Sequence, residues 1–153
     1  MRGFALAAVF IGAAVIPQAA GQEYQLGSIT VADPFARASA TPAALAGVVY
    51  LTLTNLGELV DRLVAVTTTA AANAHVHATT MQDGVMRMLP VDALELPGGA
   101  ATSLAPGGLH IMLTGLHAPL IAGETFDLTL TFGQAGTIVI KVPVGDVAAM
   151  SRR

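Results

Sequence analysis

The sequence predicts an all-β fold, a single Greek-key barrel or sandwich of antiparallel strands, on three observations. Apolar and polar residues alternate with a period of two in several segments, turn signals separate those segments at short intervals, and helical patterns are nearly absent. In "TFDLTLTF" the residues Phe126, Leu128, Leu130 and Phe132 take one face, while Thr125, Asp127, Thr129 and Thr131 take the other. One side of that strand belongs in a core and the other in water.

Along the chain, the first element is not part of the fold. "MRGFALAAVFIGAAVIPQAAGQEYQ" carries one positive residue, Arg2, then an apolar run from Phe4 to Ile16, then Pro17 and the small residues Ala19, Ala20 and Gly21. That order is the order of a secretory signal, and the run is shorter than the ~20 residues of a membrane span. The expectation is removal after Gly21, with residues 22–153 left as one domain and no stable membrane insertion.

Strands are expected at "SITVAD", "GVVYLTLTN", "DRLVAVTT", "NAHVHATTM", "VMRML", "LHIML", "TFDLTLTF" and "TIVIKVPV". In the second of these Val49, Leu51 and Leu53 alternate with Tyr50, Thr52 and Thr54. Turn signals fall between them at Asn55 to Gly57, Asp83-Gly84, Pro97-Gly98-Gly99 and Pro106-Gly107-Gly108. The alanine-rich pieces at 38–46 and 70–74 could hold at most a turn of helix, because Pro42 and neighbouring threonines oppose one.

Composition excludes several classes of function. Lysine and arginine number 7 against 10 acidic residues, and losing Arg2 with the signal leaves 6 against 10, a net charge near −4. No basic footprint for nucleic acid is present. There is no cysteine, so the domain relies on its core for stability, and thiol chemistry, lipid attachment through cysteine and a blue-copper site are all ruled out. Asp33, Asp61 and Arg62 read as turn and rim residues, since neither a nucleophile nor a second carboxylate is fixed beside them. An enzyme is not expected.

The unusual residues are concentrated in "ANAHVHATTMQDGVMRML" and "GGLHIMLTGL", which contain His75, His77, Met81, Met86, Met88, His110 and Met112. Asp83-Gly84 is a strong type I′ hairpin signal. Counting outward from it pairs Gln82 with Val85, Met81 with Met86, Thr79 with Met88 and His77 with Pro90. His77, Thr79, Met81, Met86 and Met88 then share one face, with His77 and Met88 diagonal at roughly 7–8 Å between Cα atoms. In the second segment Leu109, Ile111 and Leu113 belong in the core, so His110 and Met112 turn together to the opposite face or the rim.

Two imidazoles and two thioethers form a neutral, soft donor set that favours Cu(I) over zinc, magnesium or calcium. Using methionine rather than cysteine also suits an oxidising compartment. The spacing, H-x10-M-x21-H-x-M from His77 through Met88 and His110 to Met112, resembles that of the periplasmic copper chaperones of the PCu(A)C family. "DGVMRM", "LAPGGLHIMLTGLHAPL" and "FDLTLTF" are similar to that family's central block, and "ITVADPFAR" and "VVYLTLTN" to its opening strands.

The resemblance implies a cupredoxin-like β-barrel that binds Cu(I) through His77, Met88, His110 and Met112. It implies delivery toward the dinuclear copper centre of cytochrome c oxidase, alongside a Sco-type thiol protein, by a periplasmic monomer. Thr79 stands where many members have a further methionine, and Phe35 where a tryptophan is usual. No tail rich in histidine and methionine follows "VPVGDVAAMSRR", so a second copper held there as Cu(II) is not expected.

Other readings compete with this one. A lone histidine or methionine in a β-domain is more often packed or solvated than a ligand. Met81 and Met86 read as cover for the site's edge. His117 reads as a solvated turn residue, and His75 as a surface residue whose one alternative is to help hold Cu(II) after oxidation. Rival functions for the whole chain are a copper buffer or resistance protein and a metal-free adhesion or assembly module.

Overall fold

The computed structural model describes residues 22–148. The expected signal at residues 1–21 and its cleavage point lie outside the described residues. Eleven strands follow one another with no helix among the described residues: β1 Glu23–Leu26, β2 Ile29–Arg37, β3 Ala46–Asn55, β4 Asp61–Thr68, β5 Ala71–Gln82, β6 Val85–Pro90, β7 Leu94–Leu96, β8 Ala100–Leu104, β9 Leu109–Leu116, β10 Thr125–Phe132 and β11 Gly136–Gly145. Seven of them close a barrel in the order β2-β11-β10-β4-β5-β9-β3, with β3 pairing back to β2. The remaining strands extend the ring: β1 beside β2, β8 beside β3, β7 beside β4 and β6 beside β5.

The barrel is antiparallel except where β11 meets β2 in parallel through Val144↔Ala36 and Gly145↔Arg37. Its interior is filled by the alternating side chains expected of it. Leu128 and Leu130 of β10, Val49 and Leu53 of β3, and Ile111 and Leu113 of β9 are all closed to solvent. The fold class read from the sequence is therefore the observed one, and each of the eight expected strands is present. Three short strands escaped the alternation test, and residues 71–74 extend β5 rather than forming a turn of helix.

One irregularity sets the geometry of β2. Asp33 has φ 50°, and the β2–β3 register shifts between Ala32 and Phe35. The extra residue of a bulge reverses the face that later side chains occupy. Thus Ile29 and Val31 point inward before the shift and Ala36 after it. Phe35 instead packs on Tyr50 outside the core at 5.2 Å between ring centroids, under the Arg37 guanidinium at 5.4 Å from the Tyr50 ring.

Asp61 differs from its expected role as a rim residue. It is buried, and its carboxylate accepts hydrogen bonds from the backbone N–H groups of Arg62, Gln134 and Ala135. It ties the start of β4 to the β10–β11 turn, which is a structural task. Asn55 does similar work at the end of β3, donating to the carbonyls of Leu59 and Leu96 and accepting from Gly57 N–H.

Candidate metal centre

The hairpin formed by β5 and β6 is the part of the sheet that leaves the barrel. Its turn is Asp83-Gly84, with φ 51° and 75°, the paired positive angles that a type I′ turn requires. The register is the one obtained by counting from that turn: Gln82↔Val85, Met81↔Met86, Thr79↔Met88 and His77↔Pro90. Every residue of β6 is exposed. Beyond Pro90 the chain returns to the barrel, with Val91 N–H donating to the Val76 carbonyl at 2.8 Å.

The other edge of β5 pairs with β9, and here the structure adds what counting within one hairpin cannot supply. His77 lies directly opposite His110, and His75 directly opposite Met112. Intervening Val76 and Ile111 point into the core. Alternation therefore turns His75, His77, Thr79, His110 and Met112 to the outer face, together with Met81, Met86 and Met88.

His77 and His110 approach each other with ring centroids 5.9 Å apart and planes inclined by 59°. His110 turns to the face opposite the core, as expected, but it is buried there, at 4% exposure. Exposure is graded across the face, from closed at His110, through the half-buried His77 and Met112, to open at Met88.

The hydrogen bonding of His110 fixes its chemistry. Its Nδ1 lies 3.0 Å from the Gly108 carbonyl, and a carbonyl can only accept, so Nδ1 carries the proton and, in the neutral tautomer, the lone pair falls on Nε2. That Nε2 is buried without a partner, as is His77 Nδ1. Buried nitrogens without hydrogen-bond partners are costly unless something else occupies the lone pair. An imidazole held by its second nitrogen to a carbonyl is the usual arrangement of a metal-bound histidine. Gly108 reaches this position through the 105–108 turn, in which Gly108 N–H donates to the Ala105 carbonyl and Gly107 adopts φ 85°. Sequence reading missed this acceptor, because "PGGLH" signals a turn but not where its carbonyl points.

Burial holds the His77 imidazole below its ordinary value of 6.5, with further lowering from His110 and then His75. The neutral, ligating form is thereby favoured at neutral pH. His75 itself is exposed beside a cleft of about 260 Å³ that opens where the β4–β5 ladder is reduced to the pair Val66↔Ala74. Among the described residues no three His, Cys, Asp or Glu side chains gather as a metal-binding group. His75 thus does not complete a three-imidazole set with His77 and His110. His117 is exposed in its turn, as expected.

Comparison with known proteins agrees with this architecture. A family model described as "Putative lipoprotein LpqE-like" matches residues 29–144. Among curated proteins, "Putative lipoprotein Lxx21020" of Leifsonia xyli subsp. xyli is 39% identical over 93 residues, covering 60% of this chain and 56% of the relative. "Uncharacterized protein RP573" of Rickettsia prowazekii is 29% identical over 98 residues, 63% of this chain and 54% of the relative. The chain thus aligns with little more than half the length of these relatives.

Solved structures match over more of the fold. The copper-bound PCuAC domain from PmoF2 has a TM-score of 0.71 and 26% identity, covering 82% of this chain and 98% of that domain. The apo PCuAC domain from PmoF1 has a TM-score of 0.70 and 28% identity over 82% and 99% of the two chains. The Cu(I) form of DR1885 from Deinococcus radiodurans has a TM-score of 0.55 and 30% identity over 73% and 76%. The barrel is the cupredoxin-like fold of these PCuAC domains.

Proposed function

Because the chain belongs to the LpqE-like family, which is the family of the PCuAC domains, we propose that it is a periplasmic copper chaperone binding one Cu(I) at His77, Met88, His110 and Met112. The observation that carries this reading is the direct pairing of His77 with His110, each with a buried ring nitrogen that no protein group satisfies. The thioethers of Met88 and Met112 are carried on the same outer face. Soft, neutral donors suit Cu(I), and structures of two relatives are described as copper-bound or CuI forms.

The grading of exposure supports a carrier rather than a catalyst. His110 is the closed, preorganised end of the site and Met88 the open end, so an acceptor's ligand enters on the Met88 side while the imidazoles still hold the ion. The acceptor we propose is the copper-site subunit of cytochrome c oxidase, with a Sco-type thiol protein as the accompanying partner. The protein acts as a monomer exported through residues 1–21. Although relatives are described as lipoproteins, these 153 residues offer no cysteine for a lipid.

Anaerobic titration with Cu(I) against a chromophoric chelator tests the site. One tight equivalent is expected, and Met88→Leu should weaken it at least ~10-fold with unchanged melting, since Met88 is exposed and leucine conserves volume but not the donor. His110→Ala should abolish it, although its burial makes the fold of that variant a necessary control. No competition by the parent protein would leave a metal-free adhesion or assembly module as the better account. Binding without transfer to a copper-free oxidase fragment would indicate a buffer.

A further inference from the structure

Four methionines lie among the described residues, and three of them stand on one face of one hairpin with most of their surface in water. Exposure is 66% for Met81, 63% for Met86 and 52% for Met88, whereas Met112 on β9 is half-buried. Met81 and Met86 are directly opposed, and Met88 is opposite Thr79. Attack on a thioether by a two-electron oxidant follows access to the sulfur, and no cysteine is present to react first.

We propose that this face of the β5–β6 hairpin is a methionine-oxidation site for peroxides, at which sulfoxide formation on Met88 switches off the soft ion site while the fold stays intact. Met81 and Met86 react in parallel at the same face. In each case a sulfur lone pair attacks one oxygen of hydrogen peroxide, so that an S–O bond forms and the O–O bond breaks. The sulfur loses two electrons, and the departing hydroxide takes the proton of the transferred oxygen and leaves as water. A sulfoxide is polar and presents a hard oxygen, a poor exchange for a soft sulfur at Cu(I).

The fold survives because no residue of β6 belongs to the core and all six are exposed. The added oxygens therefore meet water rather than the barrel interior. Reduction by an enzyme of the methionine sulfoxide reductase class restores the thioethers. The switching half of the proposal rests on Met88 being a ligand; the oxidation half rests only on exposure and placement.

The test is a time course of the metal-free protein with hydrogen peroxide, read by peptide mass for one added oxygen at each methionine. Met81, Met86 and Met88 are expected to react at least ~10-fold faster than Met112, and the melting temperature should be unchanged once all three have reacted. A parallel course with silver(I), a soft ion that peroxide does not oxidise, should slow Met88 while leaving Met81 and Met86 as fast as before. Oxidation of Met112 as rapidly as Met88 in the metal-free protein, or unfolding in step with the first three oxidations, overturns the proposal. Selective hairpin oxidation without silver protection at Met88 overturns the switch and the assignment of Met88 as a ligand, while the oxidation site stands.

Discussion

The β10–β11 and β5–β6 hairpins are both antiparallel ladders closed by short turns, yet they place their apolar side chains in opposite surroundings. In β10 Leu128 and Leu130 are closed to solvent, because β10 is held by β4 on one edge and β11 on the other within the ring. In the second hairpin β6 pairs with β5 alone, and Val85, Met86, Met88 and Leu89 are all more than half exposed. β10 alternates apolar and polar residues whereas β6, VMRMLP, carries apolar side chains on both faces; what also differs is whether the sheet continues past the strand and curls over it. Exposed apolar side chains add little to folding, so the composition of the outer hairpin reflects what its face contacts rather than what holds the barrel together.

The largest test of that contrast is truncation in the core. Leu130→Ala should destabilise the protein by about 2–5 kcal/mol in denaturant unfolding, through lost burial and a residual cavity. Met86→Ala, which removes a side chain 63% exposed, should stay within about 0.5 kcal/mol. Comparable losses at the two positions would mean that the hairpin is packed in solution and that the contrast is false. An intermediate effect is expected at the turn. Gly84 has φ 75°, and an added Cβ would meet nothing within 4 Å, so Gly84→Ala incurs only backbone strain, roughly 1–2 kcal/mol. Hydrogen exchange should show the loss as faster exchange of β5–β6 amides with the barrel amides unmoved; uniform acceleration would show that hairpin and barrel unfold together.

The two hairpins were also unequally legible. β10 can be read outright, because four apolar residues in strict alternation have only one satisfactory placement. The β5–β6 register follows from Asp83-Gly84 and counting. What lies across the sheet does not follow, since the pairing of His77 with His110 joins segments separated by three intervening strands and several loops. Neither the burial of His110 nor its bond to the Gly108 carbonyl leaves a trace in residue types. The missed strands have a simpler cause. β1, "EYQL", and β8, "AATSL", carry little β propensity of their own and exist because β2 and β3 offer them an unpaired edge; β7 is only three residues long.

The smallest effect expected is one of pH, and it reports on the half-buried imidazole of the site, His77. His77 is held below its ordinary 6.5 chiefly by burial and then by His110 and His75, so in the metal-free protein the unfolded chain takes up its proton at higher pH than the folded one. Between the two values the unfolded state binds more protons, and stability rises with pH. The metal-free protein should therefore show a plateau of stability above pH 6.5 with respect to this residue, and a loss as pH falls from there through the folded value. His77→Asn should flatten that part of the profile. An unaltered slope in the variant would assign the acid sensitivity to groups other than His77. A flattened one would show that His77, whose buried Nδ1 lacks a protein partner, is the imidazole that resists charging.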